Sequence, residues 1–154
     1  MIHEMVHQWW GLGAMFDVSQ PDSAWSAEGL TVYTTYRIIK ELYGDTYAKE
    51  HYIDQWQKAV EDYYNNFYIR NPQYLEALPE EKRLDISNQL STIRYYNEMP
   101  LKILKAEELV GGEDAMDQIL YQLFNREVDP MYPYLTEQEF LDACGLTAEE
   151  LNLD

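Results

Sequence analysis

His3 and His7 stand four apart in the stretch His3-Glu4-Met5-Val6-His7, which has the form H-E-x-x-H. On an α-helix, positions four apart share a face one turn apart. Two imidazoles set that way reach a single metal ion. Glu4 projects beside them, where it can hold a water at the ion rather than the ion itself. Zinc suits two neutral imidazoles completed by a carboxylate. The competing reading is two incidental surface histidines. Only three histidines occur in the chain, and two of them fill the pattern. The third, His51, has Lys49, Glu50 and Asp54 for neighbours and reads as an exposed or partly packed imidazole.

Two histidines leave the site short of a protein ligand. The pattern that adds a third histidine six residues on requires Gly at position 10 and His at 13. This chain has Trp10 and Gly13, which excludes it. The other solution is a glutamate on the following helix. Glu28 lies in Trp25-Ser26-Ala27-Glu28-Gly29-Leu30, four residues before Val32 at the head of an apolar stripe. A carboxylate there is costly to bury without a cation or a donor. The alternative is a first-turn glutamate favoured by the helix dipole.

The elements that must position these groups are helical almost throughout, so the fold class is all-α or nearly so. Ile2, Val6, Trp9, Gly13 and Phe16 recur at helical spacing and predict a first helix, ended by the polar stretch Asp17 to Ser23 with Pro21. A second helix is expected from Asp22 or Ser23 to Tyr43, with Val32, Tyr36, Ile39 and Tyr43 inward and Gly44 as its stop. Asp45 is placed to cap a third, carrying Tyr52, Trp56, Ala59, Val60, Tyr63 and Phe67. Residues 69–86, with Pro72 and Pro79, read mostly as loop. Pro100 belongs in the first turn of a fourth helix, which puts the start near Tyr96 or Asn97 and the end at Gly111-Gly112. Met116, Ile119, Leu120 and Leu123 mark a fifth. Thr136 to Glu139 and Thr147 to Glu150 both fit a capping box ahead of short closing helices.

Composition bounds the function. At 154 residues the chain has the size of one domain. Eleven basic and 28 acidic residues give a net charge of −17, which disfavours partners with phosphate backbones or anionic bilayers. No apolar run reaches the length of a membrane span. The single cysteine, Cys144, excludes an intrachain disulfide and a multi-cysteine zinc site, and reads as a small buried hydrophobe. With no basic and apolar leader at the start, it weakly favours the cytoplasm. Trp9 and Trp10 read as core or interface packing. Glu80–Glu81 and Glu107–Glu108 read as solvated faces. Four Trp, fourteen Tyr and four Phe predict an exposed aromatic patch for docking a missing domain or for self-association.

His3 to Gly11, H-E-M-V-H-Q-W-W-G, followed by W-S-A-E-G-L-T-V-Y at 25–33, resembles the gluzincin metallopeptidases, and most closely the M1 aminopeptidase family. The resemblance implies His3, His7 and Glu28 as zinc ligands and Glu4 as general base. It also implies a tyrosine that stabilises the oxyanion. Tyr96, in Tyr96-Asn97-Glu98-Met99-Pro100 ahead of Val110-Gly111, matches that position best, with Tyr95 second; the alternative for both is an aromatic packed on the core. Between His7 and Glu28 the chain is two residues longer than the family pattern, which a loop near Pro21 would absorb. The family's Gly-x-Met-Glu-Asn segment, which binds the substrate's free amine, has no counterpart here.

Residues 1–154 are thus expected to be a single helical metallopeptidase subdomain, without the mixed α/β half that forms the other wall of the family's cleft. The implied activity is hydrolysis of peptide substrates, aminopeptidase-like, by a zinc-activated water with Glu4 as the base. The alternative from a different class is a catalytically inactive helical module that binds zinc or a protein partner.

Overall fold

A computed structural model describes residues 1–17 and 25–153. The first helix, α1 (Ile2–Val6), is much shorter than its apolar stripe predicts. Beyond it the backbone widens. Leu12 N–H donates to His7 O at 3.1 Å and Gly13 N–H to Gln8 O at 3.0 Å, five residues back instead of four. Gly11 adopts φ +111°, a left-handed conformation that side chains resist. The segment then forms two short strands, β1 (Trp10–Gly11) and β2 (Ala14–Met15), paired in parallel with Trp10 opposite Ala14. These are the only strands among the described residues, so the all-α expectation holds.

A turn of π-helix, Trp25–Gly29, leads into α2 (Leu30–Tyr43). The expected start at Asp22 or Ser23, and the loop near Pro21, lie outside the described residues. Val32, Tyr36 and Ile39 are buried as expected, whereas Tyr43 is exposed. Gly44, at φ +90°, ends the helix. Residues 45–64 then form one helical stretch, α3 (Asp45–Ala48), a π-turn (Lys49–Ile53) and α4 (Asp54–Tyr64). Asp45 does not cap it. Gly44 takes the cap position and Asp45 is already inside the first turn. Trp56 is buried, but Phe67 falls beyond the helix end and is exposed.

Residues 69–86 are mostly helix, not loop. Asn66 caps α5 (Phe67–Arg70) by accepting Tyr68 N–H at 2.9 Å. Pro72 opens α6 (Pro72–Glu76), and Pro79 is the cap of α7 (Glu80–Ile93). Both prolines sit where a missing N–H costs little, so they open helices in a stretch expected to be mostly loop.

The expected helix start at Tyr96 or Asn97 is also displaced. Residues 80–110 run on through α7, a π-turn (Arg94–Glu98) and α8 (Met99–Val110). Pro100 therefore lies inside a long helix. Its ring crowds the carbonyl four residues back, that of Tyr96. The wider turn relieves this, with Met99 N–H reaching back five residues to Arg94 O. Glu98, buried in the same turn, accepts from Tyr64 Oη at 2.6 Å and Arg94 Nε at 2.8 Å, tying the turn to α4.

After Gly111-Gly112, α9 (Glu113–Phe124) buries Met116, Leu120 and Leu123, with Ile119 half-buried. The Thr136–Glu139 capping box is present at α10 (Glu137–Cys144). At the second predicted box, Thr147 and Glu150 exchange bonds of 2.7 and 3.3 Å before a 3₁₀ turn, Glu149–Leu151.

α2 is the central element, packed on α1 and α8. Glu107 on α8, expected on a solvated face, is instead buried. Tyr33 Oη donates to its Oε1 at 2.5 Å, and Arg37, which donates to Tyr33 Oη at 2.8 Å, lies 3.6 Å away. Burial, and then the Glu107 bond, raise the Tyr33 pKa.

Gly29 brings α2 against α8. A Cβ there would lie 2.9 Å from Met99 Cβ. The two π-turns that carry Glu28 and Tyr96 also pack against each other. Gly29→Ala is expected to push them apart and destabilise the fold by about 1–3 kcal/mol, the usual cost of overpacking. Urea denaturation measures it.

Candidate metal centre

The sequence-predicted ligands converge. His7 Nε2 lies 3.1 Å from His3 Nε2, and Glu28 Oε2 lies 3.2 Å from His3 Nε2 and 3.5 Å from His7 Nε2. The imidazole planes stand at 88°, so their nitrogens meet without stacking. α1 sets the histidines one turn apart, and the π-turn before α2 swings Glu28 to the same point. Each of the three side chains is about a fifth to a quarter exposed, so the cluster opens to solvent on one side. Among the described residues it is the cluster of three or more such groups able to share an ion.

The donor set fits zinc. Two imidazole nitrogens and a carboxylate oxygen brought to one place are the donor types that zinc takes, and a cation among them would offset their mutual repulsion when all three are unprotonated. Tetrahedral bonds of 2.0–2.1 Å separate neighbouring ligand atoms by about 3.4 Å, and the observed triangle brackets that spacing. His7 is also oriented from behind. Its Nδ1 lies 3.0 Å from Trp10 O and 3.3 Å from Thr31 Oγ1. Carbonyl, helix and ring are thus joined on the side away from the cluster.

Glu4 is exposed on the first turn of α1 and is not one of the three clustered groups. Tyr96 does reach the site. Its ring centroid is 6.0 Å from that of His3, and its hydroxyl lies within the influence of the Glu28 carboxylate. Burial, then the Glu28 bond and the charges of Glu28 and Glu4, push its pKa up to about 12. Tyr95, the second candidate, packs on the core instead.

The remaining candidates lie elsewhere. His51 is exposed, stacked on Tyr47 with its Nδ1 2.9 Å from Tyr47 O. Cys144 is half-buried, and burial pushes its thiol up to about 11. Trp10 is buried, whereas Trp9 is half exposed at the edge of an apolar groove of about 510 Å³ with Leu120, Tyr121 and Phe124. Sequence reasoning missed Thr31 and the Trp10 carbonyl. The available signal was a hydroxyl one helical turn after Glu28.

Site and fold together define a helical protein with a two-histidine, one-carboxylate cluster beside a tyrosine. Comparison with known proteins agrees at the level of family. The chain is 31% identical over 122 residues to Leucine aminopeptidase 2 of Emericella nidulans, covering 79% of this chain and 19% of that protein. It is 28% identical over 112 residues to Leukotriene A-4 hydrolase of Xenopus laevis, covering 73% of this chain and 18% of that protein. Both relatives are M1 family members, and these distant partial homologies give the chain a family-level resemblance to that group. The chain spans about a fifth of the length of these relatives. No protein-family model and no solved structure matches it. No helix among the described residues is long and apolar enough to cross a membrane.

Proposed function

We propose that the chain carries the metal-binding core of a zinc metallopeptidase of M1 type that hydrolyses peptide substrates, aminopeptidase-like. The observation that carries this reading is the triangle of His3 Nε2, His7 Nε2 and Glu28 Oε2, with sides of 3.1, 3.2 and 3.5 Å. Zinc held there supplies a Lewis acid that polarises a carbonyl and lowers the pKa of water to about 7.

The chain's own residues do the rest. His3, His7 and Glu28 hold the ion, leaving the solvent-facing side for water and substrate. Glu4, exposed beside the cluster, takes the proton of the attacking water on its carboxylate and returns it to the leaving amine. The Tyr96 hydroxyl leaves Glu28 and donates to the oxygen on which negative charge develops. Tyr96→Phe is then expected to cost about 3 kcal/mol in the transition state, roughly a hundredfold in kcat, with little change in KM. Steady-state kinetics on aminoacyl reporters read this directly.

A second reading is a catalytically inactive helical zinc-binding or protein-interaction module, with Glu4 standing outside the cluster. Hydrolysis of aminoacyl and peptide reporters separates the two. Chelator-sensitive turnover restored by zinc supports the enzyme. Zinc-loaded, folded protein without turnover supports the module.

A further inference from the structure

We infer that the backbone carbonyl of Trp10 fixes the tautomer of His7 and that Thr31 is a positioning residue that holds ring and carbonyl in register; the inference rests on the metal-site reading above. A carbonyl only accepts, so the contact of 3.0 Å between His7 Nδ1 and Trp10 O requires the proton on Nδ1. A neutral imidazole carries one such proton. Nε2 is therefore bare, and it is the atom that faces His3 Nε2 and Glu28 Oε2. The ring is set to bind a cation before any arrives.

Thr31 holds this arrangement together. The residue is completely buried. Its hydroxyl donates to Trp10 O at 3.4 Å, and its oxygen lies 3.3 Å from His7 Nδ1, so the Nδ1 proton is shared between two acceptors. One turn along the same helix, Thr34 Oγ1 accepts the Trp10 indole N–H at 3.1 Å and fixes the residue that presents the carbonyl. Glu28 and Thr31 are three residues apart. One helical segment thus supplies a ligand directly and aims another through its partner. A valine at 31 keeps the shape and loses the hydroxyl.

Nitrogen-15 NMR of the histidine rings tests this in the metal-free protein, and zinc affinity is measured by competition with a chelating dye. The wild type is expected to show His7 with its proton on Nδ1. Thr31→Val is expected to leave the proton on Nδ1, because the Trp10 carbonyl still requires it, and to weaken zinc binding by roughly 10–100-fold, as loss of a group behind a ligand does. Thr31→Ser should restore the affinity. Thr31→Ala provides the same readouts should the valine variant not fold. Wild-type His7 with its proton on Nε2, or a folded variant without the hydroxyl that keeps wild-type affinity, would overturn the inference. Wild-type protein that binds no zinc would instead sink the metal-site reading, while the tautomer measurement still decides the role of the Trp10 carbonyl.

Discussion

Glu4→Gln is expected to leave zinc binding at the wild-type level and to lower hydrolysis of peptide reporters by roughly 10²–10⁴-fold, the range associated with a lost general acid–base. Glutamine keeps the size of the side chain and its helix propensity, so α1 should retain its form. What it loses is the ability to take and return a proton. The triangle of His3, His7 and Glu28 forms without Glu4, so the metal has no reason to leave. The removed charge does weaken one favourable interaction with the N-terminus of α1, worth about 0.3–1 kcal/mol. That is small beside the kinetic effect and shows separately as a shift in Tm. Equilibrium dialysis for zinc and initial rates on the same preparation make the test. Unaltered turnover removes Glu4 from the mechanism. Lost zinc places Glu4 among the ligands.

The clustering of His3, His7 and Glu28 was legible from spacing and patterning. His3 and His7 need only helical geometry across four residues, and Glu28 heads an apolar stripe where a carboxylate is out of place. The helix ends at Gly44 and Gly111 and the caps at Thr136 and Thr147 were legible for the same reason, each being a local solution for unpaired backbone groups. The buried Glu107 was not. Its compensating partner Tyr33 lies 74 residues away, so nothing near it in the chain distinguishes it from the exposed Glu108.

The irregular helical turns were hidden for a different reason. An amphipathic stripe repeats every 3.6 residues and carries no mark where one turn takes five residues. The chain widens at 25–29 and again at 94–98, and these are the turns that carry Glu28 and Tyr96. A third widening follows His7 and delivers the Trp10 carbonyl behind it. These three widenings each present a polar group near the cluster, whereas the π-turn at 49–53 supplies none of the clustered groups. Pro100 is the one sequence cause that can be assigned, since its ring displaces the Tyr96 carbonyl. Read as a helix start, it concealed the feature that places Tyr96.

Glu28→Ala is expected to weaken zinc binding by more than the 10–100-fold that loss of a group behind a ligand costs. Glu28 is the one anionic member of the cluster, so the variant loses both a ligand atom and the charge that offsets the ion's own. Two neutral imidazoles 3.1 Å apart remain, and they leave half of a tetrahedral shell to water. The fold should survive. The carboxylate is about a quarter exposed, so losing its contacts with His3 and His7 should change stability by about 1 kcal/mol. Glu28→Gln separates the two contributions, because an amide oxygen keeps a donor atom in place without the charge. Affinity is then expected to fall between wild type and Glu28→Ala. Isothermal titration with zinc, at a pH where both histidines are neutral, measures all three proteins on one scale. An Ala variant that binds as tightly as wild type would put the third ligand elsewhere, and the short distances at Glu28 Oε2 would then reflect only a hydrogen bond from His3.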